Sequence, residues 1–178
     1  MHNRLKQISW NVVYGLAGEV DVKKWWKCRQ KIINRKNVLL LPFRYIRYQR
    51  ALQKCGASIP TTTKFDDRPL FPHGLYGIFI SAGAKIGNNC VIFHQVTIGS
   101  NTLESSKKPG SPIIGNNCYI GTGAKIIGNV RIGNNVRIGA NCIVTEDVPD
   151  NCTVVLNKPR IIQKSNVNNT WKSYLDMQ

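Results

Sequence analysis

The feature that most restricts how this chain can fold is a period of six. Ile or Val stands at Ile80, Ile86, Ile92 and Ile98 and, after one break, at Ile114, Ile120, Ile126, Ile132, Ile138 and Val144. Four residues further on, outside the break, comes a small or β-branched residue: Ala84, Cys90, Val96, Cys118, Ala124, Val130, Val136, Cys142 and Val148. Six matches neither the 3.6-residue turn of a helix nor the simple alternation of a lone strand. It matches a coil of three short flat strands, turned at each corner by residues that tolerate positive φ. Asn-Asn pairs at 88–89, 116–117 and 134–135, and glycines after the aliphatic position at Gly87, Gly115, Gly121, Gly133 and Gly139, supply such turns. Stacked coils set each aliphatic residue over another inside a prism, where β-branched side chains pack in ladders. The expected fold is therefore mainly β, a parallel β-helix of hexapeptide repeats.

Two interruptions stand out. The repeat begins less regularly at Ile59, Phe65 and Phe71, then slips phase across Pro72-His73-Gly74-Leu75-Tyr76-Gly77. The second interruption separates Ile98 from Ile114 by sixteen residues, which is not a multiple of six, so a loop must leave the coil within 99–113. Irregular loops on a regular scaffold are where function concentrates. Residues 1–56 have no six-residue phase. Tyr45, Tyr48 and Leu52 recur at helical spacing beside a basic stripe of Arg44, Arg47, Arg50 and Lys54. Two or three short helices are expected there, the last stopping at Gly56. The chain thus divides into a basic helical region over 1–56, the β-helix over 57–163 and a loose or helical tail over 164–178. Cys90, Cys118 and Cys142 fall on the small interior position and read as core residues, and Cys28, Cys55 and Cys152 have no metal or redox spacing.

The net charge of +16 is concentrated at one end: residues 1–56 hold thirteen Lys or Arg and two acids. No apolar stretch approaches the roughly 20 residues of a membrane span, and Met1-His2-Asn3-Arg4 lacks an apolar signal core. The expectation is a cytoplasmic chain with reduced thiols. Three readings of the basic region stay open. It can attract nucleic-acid phosphate, although the fold offers no reading element, so nucleic acid is not an expected partner. It can hold the chain at an anionic membrane surface, with Trp25-Trp26 at the boundary among Lys23, Lys24 and Lys27. Or it is a solvated cap that packs on neighbouring copies.

From Ile59 to Ile162 the chain resembles the serine acetyltransferase branch of the left-handed β-helix acyltransferases. The resemblance rests on Pro72-His73-Gly74, Gly77-Ile78-Phe79-Ile80, His94-Gln95-Val96-Thr97-Ile98-Gly99, Ile120-Gly121-Thr122-Gly123-Ala124-Lys125-Ile126-Ile127-Gly128-Asn129 and Asp147-Val148-Pro149. The final Asn157-Lys158-Pro159-Arg160-Ile161-Ile162 resembles the strand that closes such folds. The resemblance implies transfer of acetyl from acetyl-CoA to a hydroxyl, with His73 as general base. An imidazole, with an unperturbed pKa near 6.5, suits removal of a hydroxyl proton near neutrality. His94 either binds or orients the acceptor, or simply hydrogen-bonds along the coil. For acetyl-CoA the resemblance points to Gly99 and Ser100, to Gly121, Thr122, Gly123 and Ala124, to Gly139 and Ala140, and to Lys158 for the phosphates. It also implies a homotrimer with sites between neighbouring prisms.

The chain departs from that pattern in two places. Ser58 stands where the family's histidine has an aspartate partner, and Pro72 replaces the acid directly before the histidine, leaving Asp66 and Asp67 as the nearest carboxylates. Gly110 and Ser111 occupy the positions of an Arg-His pair that grips the serine carboxylate. Short proteins with a similar His-Gln-Val-Thr-Ile-Gly segment are associated with acetylation of sugar hydroxyls, so a saccharide of surface polysaccharide biosynthesis is the expected acceptor, with serine as the alternative. The same fold hosts a zinc carbonic anhydrase class that needs three histidines. Beyond His2 only His73 and His94 exist, so no metal is expected. A non-enzymatic scaffold would explain the repeats but neither His73 nor the loop.

Overall fold

The computed structural model describes residues 20–35, 37–163 and 165. The N-terminal stretch that holds His2 and, apart from residue 165, the tail expected over 164–178 lie outside these residues. Helix α1 runs Val22–Ile33 and is started by Asp21, whose Oδ1 accepts from Lys24 N at 2.9 Å. A single 3-10 turn, Val38–Leu40, leads into α2, Leu41–Lys54, with Pro42 in its first turn. Gly56, at φ +55, takes the left-handed conformation just beyond α2, where the stop was expected.

Twelve strands of two or three residues follow: β1 (Lys64–Phe65), β2 (Phe79–Ile80), β3 (Lys85–Ile86), β4 (Val91–Ile92), β5 (Thr97–Gly99) and β6 (Ile113–Ile114), then β7 (Tyr119–Ile120), β8 (Lys125–Ile127), β9 (Arg131–Ile132), β10 (Arg137–Ile138), β11 (Ile143–Val144) and β12 (Thr153–Val154). They pair in parallel into three four-stranded sheets, β2-β5-β8-β11, β1-β3-β6-β9 and β4-β7-β10-β12, which are the three sides of a left-handed β-helix. The first we call side A, the second side B, the third side C. The repeat aliphatics stack in register, Ile80 on Ile98 on Ile126 on Val144 along side A, and every one of the ten is buried. Cys90, Cys118 and Cys142 are buried as expected, their thiols donating to coil carbonyls such as Gly115 O at 3.2 Å and Gly133 O at 3.1 Å.

The corners divide the labour between Asn and Gly differently from the expectation. Asn89, Asn117, Asn135 and Asn151 do carry positive φ on the corner between sides B and C, and Asn89 Nδ2 donates to Asn117 Oδ1 at 2.9 Å. The glycines that follow the aliphatic positions do not carry positive φ. They are needed because coils approach too closely for a side chain: a Cβ on Gly115 would lie 2.6 Å from Gly133 O, and one on Gly87 would lie 2.8 Å from Gly115 O.

The helices close the lower end of the prism. Trp25 stacks on Tyr48 (5.4 Å between ring centres) and meets Phe71 edge-on, and Tyr48 Oη donates to Ile59 O at 2.5 Å. Buried Arg29 donates to the carbonyls of Thr61 and Thr63 and lies over the rings of Trp26 and Phe65. Burial pulls the Arg29 pKa down; the carbonyls and rings stand where a carboxylate would otherwise be needed. The tryptophans therefore face inward, not toward a boundary. At the upper end the expected closing strand over 157–162 is not formed. The chain is irregular and exposed from residue 155 to 163, because the next six-residue position after Val154 is Arg160, which has no place inside a prism.

Candidate active site

Coil-to-coil partners in the regular part are 18 residues apart, as with Tyr119 and Arg137. Around the first coil they are 21 apart: Ser58 with Phe79, Lys64 with Lys85, Leu70 with Val91. Three extra residues therefore enter in the turn at the corner between sides C and A, the stretch where the sequence slips phase. Leu75 and Ile78, fully buried, pin this turn from within, and Gly74 and Gly77 bend it at φ +70 and +64. His73 is left projecting from the edge, exposed.

One coil higher on the same edge sits half-buried His94. The rings meet, with His73 Nδ1 2.9 Å from His94 Nδ1 and ring centres 4.9 Å apart. Two ring nitrogens in contact need one proton between them. One ring thus donates its Nδ1–H, and the other accepts at Nδ1 and carries its own proton on Nε2. Phe93 stands edge-on to His73 at 5.4 Å and leans on Tyr119 at 5.0 Å, forming an aromatic wall that sequence reading did not single out. Lys125 Nζ donates to Gln95 O at 2.7 Å, next to His94.

The carboxylates offered by the sequence are elsewhere. Asp67 accepts from Asn89 N at 3.1 Å on the corner between sides B and C, and Asp66 directly precedes it after β1. Ser58 lies under Phe79 at the base of side A. His94, rather than any of these, is the ring-nitrogen partner of His73. The sequence held a signal for this: a separation of 21 is one coil plus the three-residue slip.

The residues proposed for the donor divide between two edges. Gly123 N donates to His94 O at 3.1 Å, and Asn141 N donates to Thr122 O at 2.8 Å. Gly121, Thr122, Gly123 and Ala124, then Gly139 and Ala140, therefore continue the histidine edge upward. Their glycines also answer to the fold, since a Cβ on Gly121 would lie 2.9 Å from Ala140 N and one on Gly123 2.1 Å from Asn141 Oδ1. Gly99 and Ser100 instead end β5 on the corner between sides A and B, where Ser100 Oγ is 2.6 Å from Ser111 Oγ. Lys158 is in the exposed stretch after β12.

The loop is a ten-residue insertion on that second corner, since Thr97 and Lys125 are 28 residues apart instead of 18. Asn101 and Gly110 close it as a reciprocal backbone pair, each N–H 2.8 Å from the other's carbonyl. Lys108 Nζ reaches Asp147 Oδ1 at 3.2 Å, and the same oxygen accepts from Arg131 N at 2.9 Å. Gly110 and Ser111 are thus occupied in holding the loop.

A family model described as bacterial transferase hexapeptide (six repeats) matches residues 111–146. A serine acetyltransferase of Synechococcus elongatus is 44% identical over 112 residues, 63% of this chain and 45% of that protein. One from Bacillus licheniformis is 36% identical over 107 residues, 60% of this chain and 48% of the relative. The chain spans about half the length of these curated relatives. Among solved structures, Neisseria gonorrhoeae serine acetyltransferase in complex with serine superposes with a TM-score of 0.61 at 30% identity, covering 76% of this chain and 55% of that one. Entamoeba histolytica serine acetyltransferase isoform 3 in complex with cysteine gives 0.56 at 32% identity, covering 67% and 43%.

Proposed function

We propose that this chain is an acetyl-CoA-dependent O-acetyltransferase in which His73 is the general base. The observation that carries the reading is the His73–His94 contact on an exposed coil edge that continues upward as Gly121, Thr122, Gly123 and Ala124. In the assignment that suits the chemistry, His73 donates its Nδ1–H to His94 Nδ1 and presents its Nε2 lone pair to the acceptor. The hydroxyl oxygen attacks the thioester carbonyl while its proton passes to His73 Nε2. The resulting imidazolium keeps its Nδ1–H on His94. Collapse breaks the C–S bond, and the proton leaves with the CoA thiolate. Acetyl-CoA is the donor substrate, and the edge above the histidines suits its pantetheine arm, because backbone amides and small residues line it.

The names of the relatives support L-serine as acceptor above the saccharide expected from the sequence. The saccharide remains a second reading on one observation: Gly110 and Ser111 offer no cation, and the nearby Lys108 is already paired with Asp147. The two donor-binding edges lie on opposite ends of side A, about six residues or roughly 20 Å apart along a strand direction. If Gly99 and Ser100 contact the donor held above His94, a neighbouring prism must bring them, which supports a trimer. The test is CoA release with L-serine, free hexoses, nucleotide sugars and oligosaccharides. Release with serine alone removes the saccharide reading, and no release with any hydroxyl acceptor overturns the proposal.

A further inference from the structure

The capping helices carry a surface that neither the core nor the proposed transfer uses. Val38, Leu39 and Leu40 form the 3-10 turn, and Phe43 and Ile46 follow on α2. Leu39 is 91% exposed, Phe43 72% and Val38 68%, with Leu40 and Ile46 about half exposed. Leu39, Phe43 and Ile46 are spaced four and three apart, so they form one stripe. Single apolar residues on a surface are ordinary, whereas a contiguous group marks a contact. Arg47 and Arg50, both exposed, lie four residues beyond Phe43 and Ile46 and extend the same stripe. From residue 22 to 63 the chain has eleven Lys or Arg and no Asp or Glu.

We infer that the 3-10 turn and the outward stripe of α2 seat this protein on an anionic bilayer surface, the apolar tip entering the headgroup boundary and the cations pairing with lipid phosphates. Charge selects this occupant. A second copy presenting the same patch would set cations against cations with no acid between them. Residues 1–19 hold Arg4, Lys6 and Glu19, which cannot neutralise the patch. Nucleic acid would satisfy the cations but has no use for Leu39 or Phe43. An amphipathic surface of aliphatic and aromatic residues beside Lys and Arg is what interfacial binding requires. No described helix is long and apolar enough to cross a membrane. The inference does not depend on the proposed reaction.

The full chain is sedimented with phosphatidylcholine vesicles and with vesicles also containing phosphatidylglycerol, at low and high salt. Binding is expected only to the anionic vesicles and is weakened by salt, because the attraction is screened. Two variants divide the contributions: Leu39→Glu with Phe43→Glu removes the tip, and Arg47→Glu with Arg50→Glu reverses the flanking charge. Each is expected to lower vesicle affinity about tenfold or more, with thermal midpoint and light-scattering mass unchanged. Failure to bind anionic vesicles, or equal binding to neutral ones, overturns the inference. So does retained binding by the tip variant. If that variant loses thermal stability with vesicle binding unchanged, the tip is covered by the chain's own terminal segment. If its mass falls with vesicle binding unchanged, the tip is covered by a second copy. Either outcome also overturns it.

Discussion

At the scale of single residues, the 2.9 Å contact between His73 and His94 changes what each substitution is expected to do. His73→Ala removes the proposed base, so acetyl transfer should fall by about 10² to 10⁴. Donor affinity, measured by calorimetry with CoA, should be little altered, because the groups proposed to hold it are coils above. A variant with near-normal turnover would remove His73 from the role. For His94 the contact redirects the expectation from acceptor affinity to the chemical step. His94→Ala should lower kcat more than it raises KM. His94→Asn, whose Oδ1 can accept the same proton, should recover part of the loss. If His94→Ala raises KM alone, His94 binds acceptor and does not position His73. The pairing was only half legible beforehand. His73 was found from its place at a slip in the repeat, and His94 from its type, but contact between them depends on the way one coil stacks on the next.

At the scale of elements, the corners and the loop have different physics from the strands. Gly115→Ala adds a methyl 2.6 Å from the carbonyl of Gly133, and backbone cannot swing aside as a side chain can. A loss of about 1–3 kcal/mol is expected, the usual result of overpacking. Chemical denaturation would show it, and an unchanged midpoint would mean that the coils can separate there at no cost. The six-residue pattern marked these glycines correctly but suggested the wrong reason, since a one-dimensional period does not reveal how near the next coil lies. The loop is held by Asp147. The Arg131 backbone N–H and then the Lys108 ammonium keep its carboxyl below the usual carboxylate range. A depressed folded pKa means that the carboxylate's contribution is fully present above its unfolded value of about 3.9 and is lost as pH falls through the lower folded value. Tryptic cleavage after Lys107, slow in the parent at neutral pH, should accelerate in Asp147→Ala. In the parent, acid-stable proteolysis should show the same loosening only below about pH 4. Equal cleavage in parent and variant would show that the Asn101–Gly110 pair alone holds the loop.

At the scale of the whole molecule, the two sets of proposed donor contacts lie on different corners of one prism, so assembly decides whether they form one site. Light scattering at micromolar concentration is expected to report a trimer, and a strict monomer would leave Gly99 and Ser100 without a part in donor binding. The six-residue period by itself determined that the chain is a three-sided parallel coil, which aliphatic residues point inward and where the coil is interrupted. A repeat whose every unit makes the same local choice needs no long-range information to be read. The helical stop at Gly56 was legible for a similar reason, because it depends on local backbone preference. Only the tertiary structure decided that His94 lies against His73, that Trp25 and Trp26 serve the core, and that Leu39 and Phe43 remain outside it. Each of these depends on residues brought together by stacking or capping from 20 or more positions away, or on a face left uncovered after the others have packed. Sequence spacing carries the direction of a side chain along its own element, but not the identity of what arrives opposite it.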